Sequence, residues 1–195
     1  KEWHLAHIRD QFQRNSLERG YKNFDDEDLI MISDVDEIPN PKKISEFNVK
    51  NQYACFIQKN FQAKINQLNT TGKDWPGTKI CVKKFLKSPQ WLRNLKIKKY
   101  PLWKFYKPRA MQLINDAGWH FSFLKNPEGI AKKIKAYAHQ ELNKELFTDV
   151  NLINDRVKLG KDIFNRKVSY KKVEIDNSFP KYIVENKEKF KEWII

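Results

Sequence analysis

The chain has 195 residues, of which 40% are hydrophobic and 13% aromatic. This is enough to bury one substantial core, so the composition excludes a disordered tail and predicts a single domain over residues 1–195. No apolar run approaches the roughly 18 residues that cross a bilayer, and the first residues do not resemble a signal peptide, so we expect a soluble chain. The two cysteines, Cys55 and Cys81, lie in apolar stretches, which favours buried thiols and a cytoplasmic location.

The formal net charge is +14, which suggests an anionic partner such as nucleic acid or a membrane surface. Only seven of the 38 basic residues are arginine, so a lysine-rich bias explains much of the charge and makes nucleic acid a less favoured partner. Residues 75–115 contain nine Lys, two Arg and no acid. Two interpretations stay open for the aromatic residues among these cations, a core-facing set with solvated lysines or a surface for an anionic ligand. These residues are Phe85, Trp91, Tyr100, Trp103, Phe105 and Tyr106.

The first part of the chain predicts a helix followed by a buried strand. Apolar residues at helical spacing predict an amphipathic helix up to about Gly20. Residues 28–33 contain four consecutive apolar residues, which predicts a strand covered on both faces. Two prolines then end this strand, and Asn40 is the expected N-cap of a short helix over residues 42–47.

The middle of the chain is predicted to be rich in strands and the last part in helices. Further strands are expected at residues 52–58, 61–68, 79–82 and 118–124. The sequence Trp75-Pro76-Gly77-Thr78 is typical of a turn between strands. Helices are expected from Asn126, over residues 148–159 and over residues 185–193.

Acidic residues follow the buried strand directly, at Asp34, Asp36 and Glu37. In α/β sheets, ligands bind beyond the carboxyl ends of strands. Carboxylates suit Mg²⁺ or Mn²⁺, and substrate phosphates fill the remaining coordination positions. An Asp-x-Asp triplet also arises by chance, and residues 26–28 form a second one in this chain. The prediction of a metal site at residues 34–36 therefore depends on their position directly after the buried strand. The alternative is a solvated acidic turn.

A second feature is His120, which lies between two aromatic residues in a predicted strand. From spacing alone, this pattern is more typical of a packed structural histidine than of a metal ligand.

Four motifs, in this order along the chain, resemble glycosyltransferase family 17, the family of the β-1,4-mannosyl-glycoprotein β-1,4-N-acetylglucosaminyltransferases. The resemblance extends from about Arg9 to the end. The motifs are Ile32-Ser33-Asp34-Val35-Asp36-Glu37-Ile38-Pro39, Trp75-Pro76-Gly77-Thr78, Ala117-Gly118-Trp119-His120-Phe121-Ser122 and Pro127-Glu128-Gly129-Ile130.

The resemblance implies an α/β, GT-A-like fold with a mixed sheet flanked by helices. It implies inverting transfer of a sugar, N-acetylglucosamine from UDP-N-acetylglucosamine, to a hydroxyl of a glycan acceptor such as an N-glycan, with Mn²⁺ or Mg²⁺ as cofactor. The family also has an N-terminal portion, with a first strand and nucleotide-binding residues, before the helix that contains Arg14. We therefore expect the gene to continue upstream of Lys1 and to encode another βα unit. Eukaryotic members are lumenal proteins of the Golgi.

Residue roles follow from the same resemblance. Asp36 and His120 are implied as metal ligands, and we expect His120 to meet the turn 34–37 in space. The implied donor-binding residues are Asp34, Arg14, Trp75, Gly77, Thr78, Trp119 and Ser122.

The transfer also needs a carboxylate as general base. The candidates, in order, are Glu37, Asp116 and Glu128. Each residue also has a structural alternative. Glu37 would support the site from behind the residues that contact the ligand, Asp116 would be a turn residue, and Glu128 would be a carboxylate in the first turn of a helix.

Two other functions stay open at this stage. One is a basic carbohydrate- or nucleic-acid-binding module without catalysis, because exposed aromatics among cations can stack sugars or bases. The other is a hydrolase that uses the metal to activate water. Peripheral contact with a membrane is compatible with the charge.

Overall fold

The computed structural model describes residues 2–72, 74–97, 103, 111–136 and 142–195. These residues form a mixed α/β structure, which confirms the predicted α/β class. They divide into two compact units. The first unit contains Lys1–Gln58 and Pro76–Gly118, and the second unit contains Lys59–Trp75 and Trp119–Ile195.

The strands within the described residues are β1 (Leu29–Ile32), β2 (Glu37–Pro39), β3 (Tyr53–Gln62), β4 (Gln67–Asn69), β5 (Trp75–Val82), β6 (Gln112–Ile114), β7 (Gly118–Ser122) and β8 (Tyr170–Lys172). The α-helices are α1 (Glu2–Asn15), α2 (Glu18–Tyr21), α3 (Pro89–Asn94), α4 (Pro127–Ala136), α5 (Glu145–Thr148), α6 (Val150–Lys158) and α7 (Lys181–Glu185). Shorter 3₁₀ segments lie at Pro41–Glu46, Val49–Asn51, Lys83–Phe85 and Lys187–Trp193. No helix in the described ranges has the length and apolar composition that a bilayer crossing requires.

In the first unit, β5 lies between β1 and β3. β1 pairs with β5 in the antiparallel sense, and β3 pairs with β6 in the parallel sense. Ile30 and Ile32 of β1 pack with Leu92 of α3 on one face, while Met31 packs against a second cluster that contains Phe56. The prediction of a strand covered on both faces is therefore confirmed.

Local signals were correct at two places in the first unit and wrong at one. Helix α1 ends at Asn15 and the short α2 follows, so the predicted helix forms in two pieces. Asn40 is an N-cap as predicted, because its side-chain oxygen accepts from the backbone N–H of Lys42 at 3.1 Å. The predicted turn at Trp75-Pro76-Gly77-Thr78 is wrong, since these residues form the first half of β5. A proline is tolerated near the start of a strand, and pairing in the sheet overrides the local turn signal.

In the second unit, residues 59–62 of β3 pair in parallel with β7, and β4 pairs antiparallel with both β3 and β8. The predicted strand over 61–68 is wrong, because the chain leaves β3 at Ala63, whose φ is +61°, before it returns as β4. The predicted helix over 148–159 is confirmed as α6, and Asp149 caps α6 by accepting from the N–H of Leu152 at 2.8 Å. Helices α4, α5 and α6 share an apolar cluster, and α7 with the last 3₁₀ segment covers a second one.

A buried carboxylate, Asp162, ties the helical part of the second unit to β3. Its Oδ1 accepts from the N–H groups of Phe164 and Arg166 and from Arg166 Nε, and its Oδ2 accepts from Arg166 Nη2 at 2.7 Å and from Gln62 Nε2 at 3.3 Å. Gln62 in turn accepts from the N–H of Ile163 at 3.0 Å. Burial acts to raise the pKa of Asp162, but the hydrogen bonds and charge of Arg166 and the amide of Gln62 outweigh it, so the pKa lies below its ordinary value.

We expect Asp162→Asn to lower the free energy of unfolding at pH 7 by about 2–4 kcal/mol, because it removes the charge from a buried, paired site. A carboxylate whose pKa is lower in the folded than in the unfolded state stabilises the fold above the unfolded value of 3.8. That contribution is lost as the pH falls through the folded pKa, so the difference between the two proteins should narrow in acid. Urea unfolding of the wild-type protein and the variant at several pH values measures this difference in the free energy of unfolding.

Asp155→Asn is the matched control, because Asp155 is an exposed carboxylate on α6. Equal stability of the Asp162→Asn variant and this control at pH 7 would contradict the prediction.

Candidate active site

The four residues 34–37, here called the acidic turn, follow β1 and end at the first residue of β2 in the first unit. The backbone N–H of Glu37 donates to the carbonyl oxygen of Asp34 at 3.0 Å, and the N–H of Asp34 donates to Glu37 Oε2 at 3.2 Å. Val35 is fully exposed at the tip, and Asp36 next to it is partly exposed. The turn is therefore closed from both ends, which fixes the positions of its two aspartates.

Arg93, in the last turn of α3, holds the acidic turn from inside the unit. Its Nη1 and Nη2 donate to both carboxylate oxygens of Glu37 at 3.0 and 2.8 Å, and Nη2 also donates to Asp34 Oδ2 at 2.8 Å. The side chain of Glu37 is fully buried and that of Arg93 is 10% exposed. Burial opposes the charge of Arg93, but the hydrogen bonds and charges of Glu37 and Asp34 outweigh it and raise the pKa of Arg93.

Two polar contacts place α3 so that Arg93 can reach the turn. Ser88 caps the start of the helix, where its Oγ accepts from the N–H of Trp91 at 3.1 Å. At the other end, Lys79 Nζ donates to the carbonyl oxygens of Arg93 and Leu95 at 2.5 and 2.6 Å. These are the carbonyls that a helix end leaves without intrahelical partners. Burial lowers the pKa of Lys79 to about 8.

A second arginine reaches the acidic turn from α1. Arg14 Nη2 donates to Asp34 Oδ1 at 3.2 Å, and its Nη1 donates to Gln90 Oε1 at 2.6 Å. Asn15 Oδ1 accepts from the N–H of Gln90 at 3.1 Å, so the end of α1 is joined to the start of α3.

A cavity of about 410 Å³ opens beside this arginine, within the usual size range of small-ligand sites. It is lined by Asp10, Gln13, Arg14, Leu17, Ser33, Asp34 and Val35.

Parts of three sequence motifs meet in the first unit. Gly77 accepts from Arg93 Nη1 at 2.8 Å through its carbonyl oxygen, and Thr78 Oγ1 lies 2.6 Å from Ser33 Oγ. The carbonyl oxygen of Ala117 accepts from the N–H of Asn40 at 2.8 Å.

Next to Ala117, the backbone passes so close to β2 that only glycine fits. Gly118 has a φ of +142°, and a Cβ there would lie 2.2 Å from the carbonyl oxygen of Ile38.

The two candidate bases in the first unit differ in accessibility. Glu37 is buried and gives both oxygens to Arg93, a geometry that supports the alternative of a residue that holds the site from behind. Asp116 is exposed in the turn between β6 and β7 and has a φ of +48°. Its role as a base stays a prediction.

The remaining predicted site residues lie in the second unit. His120 is buried, its ring stacks on Trp75 at 4.2 Å between centroids with an angle of 12°, and its Nδ1 lies 3.0 Å from Asn60 Oδ1. Trp119 is buried and donates through Nε1 to the carbonyl oxygen of Ser178 at 3.0 Å. The proximity of His120 to the acidic turn stays a prediction.

Two further residues of the second unit complete the set. The carbonyl oxygen of Ser122 accepts from the N–H of Ala63 at 2.9 Å. Glu128 is exposed in the first turn of α4, as expected for a carboxylate that interacts with the N-terminal end of a helix. Its role as a base stays a prediction.

The acidic turn could hold a cation only together with ligands from outside the protein, such as the phosphates of a substrate. Asp34 and Asp36 lie two residues apart on a closed turn, and the side chain of Asp34 is 37% exposed. Across the described ranges, no group of three or more His, Cys, Asp and Glu side chains has the arrangement of a metal centre. Mg²⁺ needs only one or two protein carboxylates where phosphates and waters supply the other oxygens.

Sequence reasoning missed Arg93 and Lys79. A signal was present, because residues 75–115 contain no acid and only two arginines, while the acidic turn concentrates three carboxylates in four residues. A buried glutamate needs a cationic partner, and an arginine from the acid-free segment was the natural candidate.

Comparisons with protein-family models, curated proteins and solved structures found no match to this chain.

We expect Arg93→Met to lower the free energy of unfolding by about 3–5 kcal/mol, because it removes the guanidinium that donates to both oxygens of the buried Glu37 carboxylate. Adding Glu37→Gln in the same chain removes that charge and should recover part of the loss. Urea unfolding at neutral pH measures both.

Arg19→Met on the exposed α2 serves as control and should change stability by less than about 0.5 kcal/mol. A loss in Arg93→Met no larger than in this control would refute the buried pair as the support of the turn.

Proposed function

We propose that the first unit carries the donor site of a metal-dependent, inverting glycosyltransferase. Its reaction is the transfer of a sugar, N-acetylglucosamine from UDP-N-acetylglucosamine, to a hydroxyl of a glycan acceptor. The observation that carries the proposal is the acidic turn, held in one geometry by Arg93 beside a cavity that Arg14 lines. Two motifs meet beside this turn, where Gly77 accepts from Arg93 and Thr78 contacts Ser33, and this adds support because a shared site gives both motifs a common reason to be present.

The leaving diphosphate is the group that this site must stabilise. A divalent ion bound by Asp36 would supply a Lewis acid for the developing negative charge. Arg14 contacts Asp34 and lines the cavity, so its charge is available to a phosphate next to the nucleoside. Arg93 is committed to Glu37, Asp34 and Gly77, and its role is to fix the turn.

The acceptor hydroxyl must lose its proton as it attacks the anomeric carbon of the sugar. A general base needs an accessible oxygen within hydrogen-bond reach of that hydroxyl. Both oxygens of Glu37 accept from Arg93 in a buried position, whereas the carboxylate of Asp116 is exposed in the same unit. On accessibility, Asp116 is the better candidate for the base.

The alternative of a nucleic-acid-binding module has less support. It needs exposed aromatics in the acid-free segment, but Phe85 and Trp91 pack edge-on against Tyr53 at 6.4 and 5.4 Å between ring centroids. Trp103 is exposed. The other aromatics of the set, Tyr100, Phe105 and Tyr106, lie outside the described residues.

In the full-length protein, we expect Asp36→Asn to abolish turnover of the UDP-sugar and to weaken Mn²⁺ binding in the presence of UDP. The substitution keeps the shape of the side chain and removes one formal charge from the proposed cation site. Stability should stay constant or rise, because neighbouring carboxylates repel one another without a cation. Turnover with and without a glycan acceptor, Mn²⁺ titration by calorimetry and thermal unfolding measure these effects.

Asp26→Asn is the matched control, because Asp26 begins the other Asp-x-Asp triplet and is 79% exposed. Full activity of Asp36→Asn with unchanged Mn²⁺ dependence would refute the assignment. Turnover that is independent of an acceptor would favour the hydrolase.

A further inference from the structure

Three polar side chains connect the interior of the first unit to the cavity. Gln58 on β3 is fully buried, and its Nε2 lies 3.1 Å from Thr78 Oγ1. Thr78 on β5 is also fully buried, and its Oγ1 lies 2.6 Å from Ser33 Oγ. Ser33 follows β1 and lines the cavity. We call Gln58, Thr78 and Ser33 the polar relay.

The chemistry of these groups fixes one part of the polar relay. A carboxamide nitrogen can only donate, so Thr78 Oγ1 accepts from Gln58. Thr78 then keeps one hydrogen and one lone pair, and either hydroxyl can donate across the 2.6 Å contact between Thr78 Oγ1 and Ser33 Oγ. In both arrangements Ser33 is held by Thr78 and lines the cavity, so its hydroxyl is available to whatever occupies the cavity.

Gln58 also carries a cost that stability does not explain. Its Oε1 is buried and has no hydrogen-bond partner within the described part of the chain. An apolar side chain of similar size would avoid this penalty, and a buried polar atom without a protein partner calls for an explanation. The contact that Gln58 makes in return is the donation that orients Thr78.

The cavity lining indicates which ligand fits beside this hydroxyl. Asp10 and Asp34 accept hydrogen bonds, Arg14 donates them, Ser33 can do either, and the charged groups sum to one negative charge, which disfavours a bare phosphate. A uracil nucleoside matches this set. Its ring carbonyls accept, while its ring N–H and ribose hydroxyls donate.

We propose that the Ser33 hydroxyl is a specificity-determining hydrogen-bonding group for the nucleoside part of the sugar donor, and that Thr78 and Gln58 are positioning residues that act through Ser33. This inference rests on the proposed function for the identity of the ligand. It gives Thr78, which is too buried to reach a ligand itself, a definite part in donor binding.

Calorimetric titration of the full-length protein with uridine, UDP and inorganic diphosphate tests the inference. Ser33→Ala should weaken uridine and UDP about 5- to 20-fold, the size of one hydrogen bond, and leave diphosphate unchanged. Thr78→Val should weaken them less, since Ser33 keeps its hydroxyl but loses its fixed direction. The double variant should bind as Ser33→Ala does, because Thr78 acts only through Ser33.

Two controls keep the result free of folding effects. Thr78→Ser retains the hydroxyl and should restore binding, whereas Ser45→Ala removes a hydroxyl in the exposed 3₁₀ segment and should change nothing. Uridine and UDP affinities that do not respond to Ser33→Ala, or a folded wild-type protein that binds neither, would overturn the inference. Additive losses in the double variant would overturn the positioning role, and an effect on diphosphate without uridine binding would overturn the nucleoside assignment.

The inference and the proposed function can fail separately. Turnover of a UDP-sugar that is insensitive to Ser33→Ala leaves the transferase in place and removes Ser33 from its donor site. Uridine binding that depends on Ser33, without turnover, keeps the nucleoside site and removes the transferase.

Discussion

The ion pair between Arg93 and Glu37 is the interaction on which the acidic turn depends. Glu37 is fully buried, and an ionised carboxylate in that position is tolerated only with a cation that satisfies its oxygens. The planar fork of Arg93 does so for both oxygens and has further N–H groups for Asp34 and Gly77. A lysine could not make this set of contacts, because a single ammonium cannot match two parallel acceptors.

This pair fixes the acidic turn from within the protein. Three carboxylates within four residues repel one another, so a turn of this composition needs cations to keep its shape. Arg93 and Arg14 balance Asp34, with N–O distances of 2.8 and 3.2 Å. Under the proposed function, Asp36 stands on a turn that is already closed, which lowers the ordering cost of binding. Preformed polar groups are also the form in which electrostatic stabilisation of a transition state is most effective.

Sequence patterns were sufficient where a short stretch of chain determines its own structure. The uninterrupted apolar run before Ser33 and the cap at Asn40 both act within a few residues, whereas the prolines that were predicted to end the first strand lie beyond its end at Ile32, and Pro39 is part of β2. The pairing of Arg93 with Glu37 spans 56 positions and that of Ser33 with Thr78 spans 45, and no local period encodes either. The Pro and Gly signals before Thr78 predicted a turn because the pairing of β5 with distant strands is invisible locally. Similarly, the chain leaves β3 at Ala63, which has a positive φ that alanine rarely adopts and that the sequence therefore does not predict.

The buried residues of β5 fall into an apolar group at its end and a polar group that precedes it. Its last three residues, Ile80, Cys81 and Val82, are buried and apolar, and they pack as strand residues in a core do. The preceding pair, Thr78 and Lys79, is equally buried but polar. In the described part of the first unit, the other buried polar residues are Glu37 and Gln58.

All four of these groups converge on the end of β1. Glu37 and Lys79 hold Arg93 and its helix, while Gln58 and Thr78 lead to Ser33. A fold selected for stability alone would continue the apolar pattern along β5, because paired apolar residues of similar volume are often at least as stable as buried ions. The buried polar pair of β5, Thr78 and Lys79, is therefore best explained by the groups that it positions. These groups are the aspartates of the acidic turn and the hydroxyl of Ser33 beside the cavity.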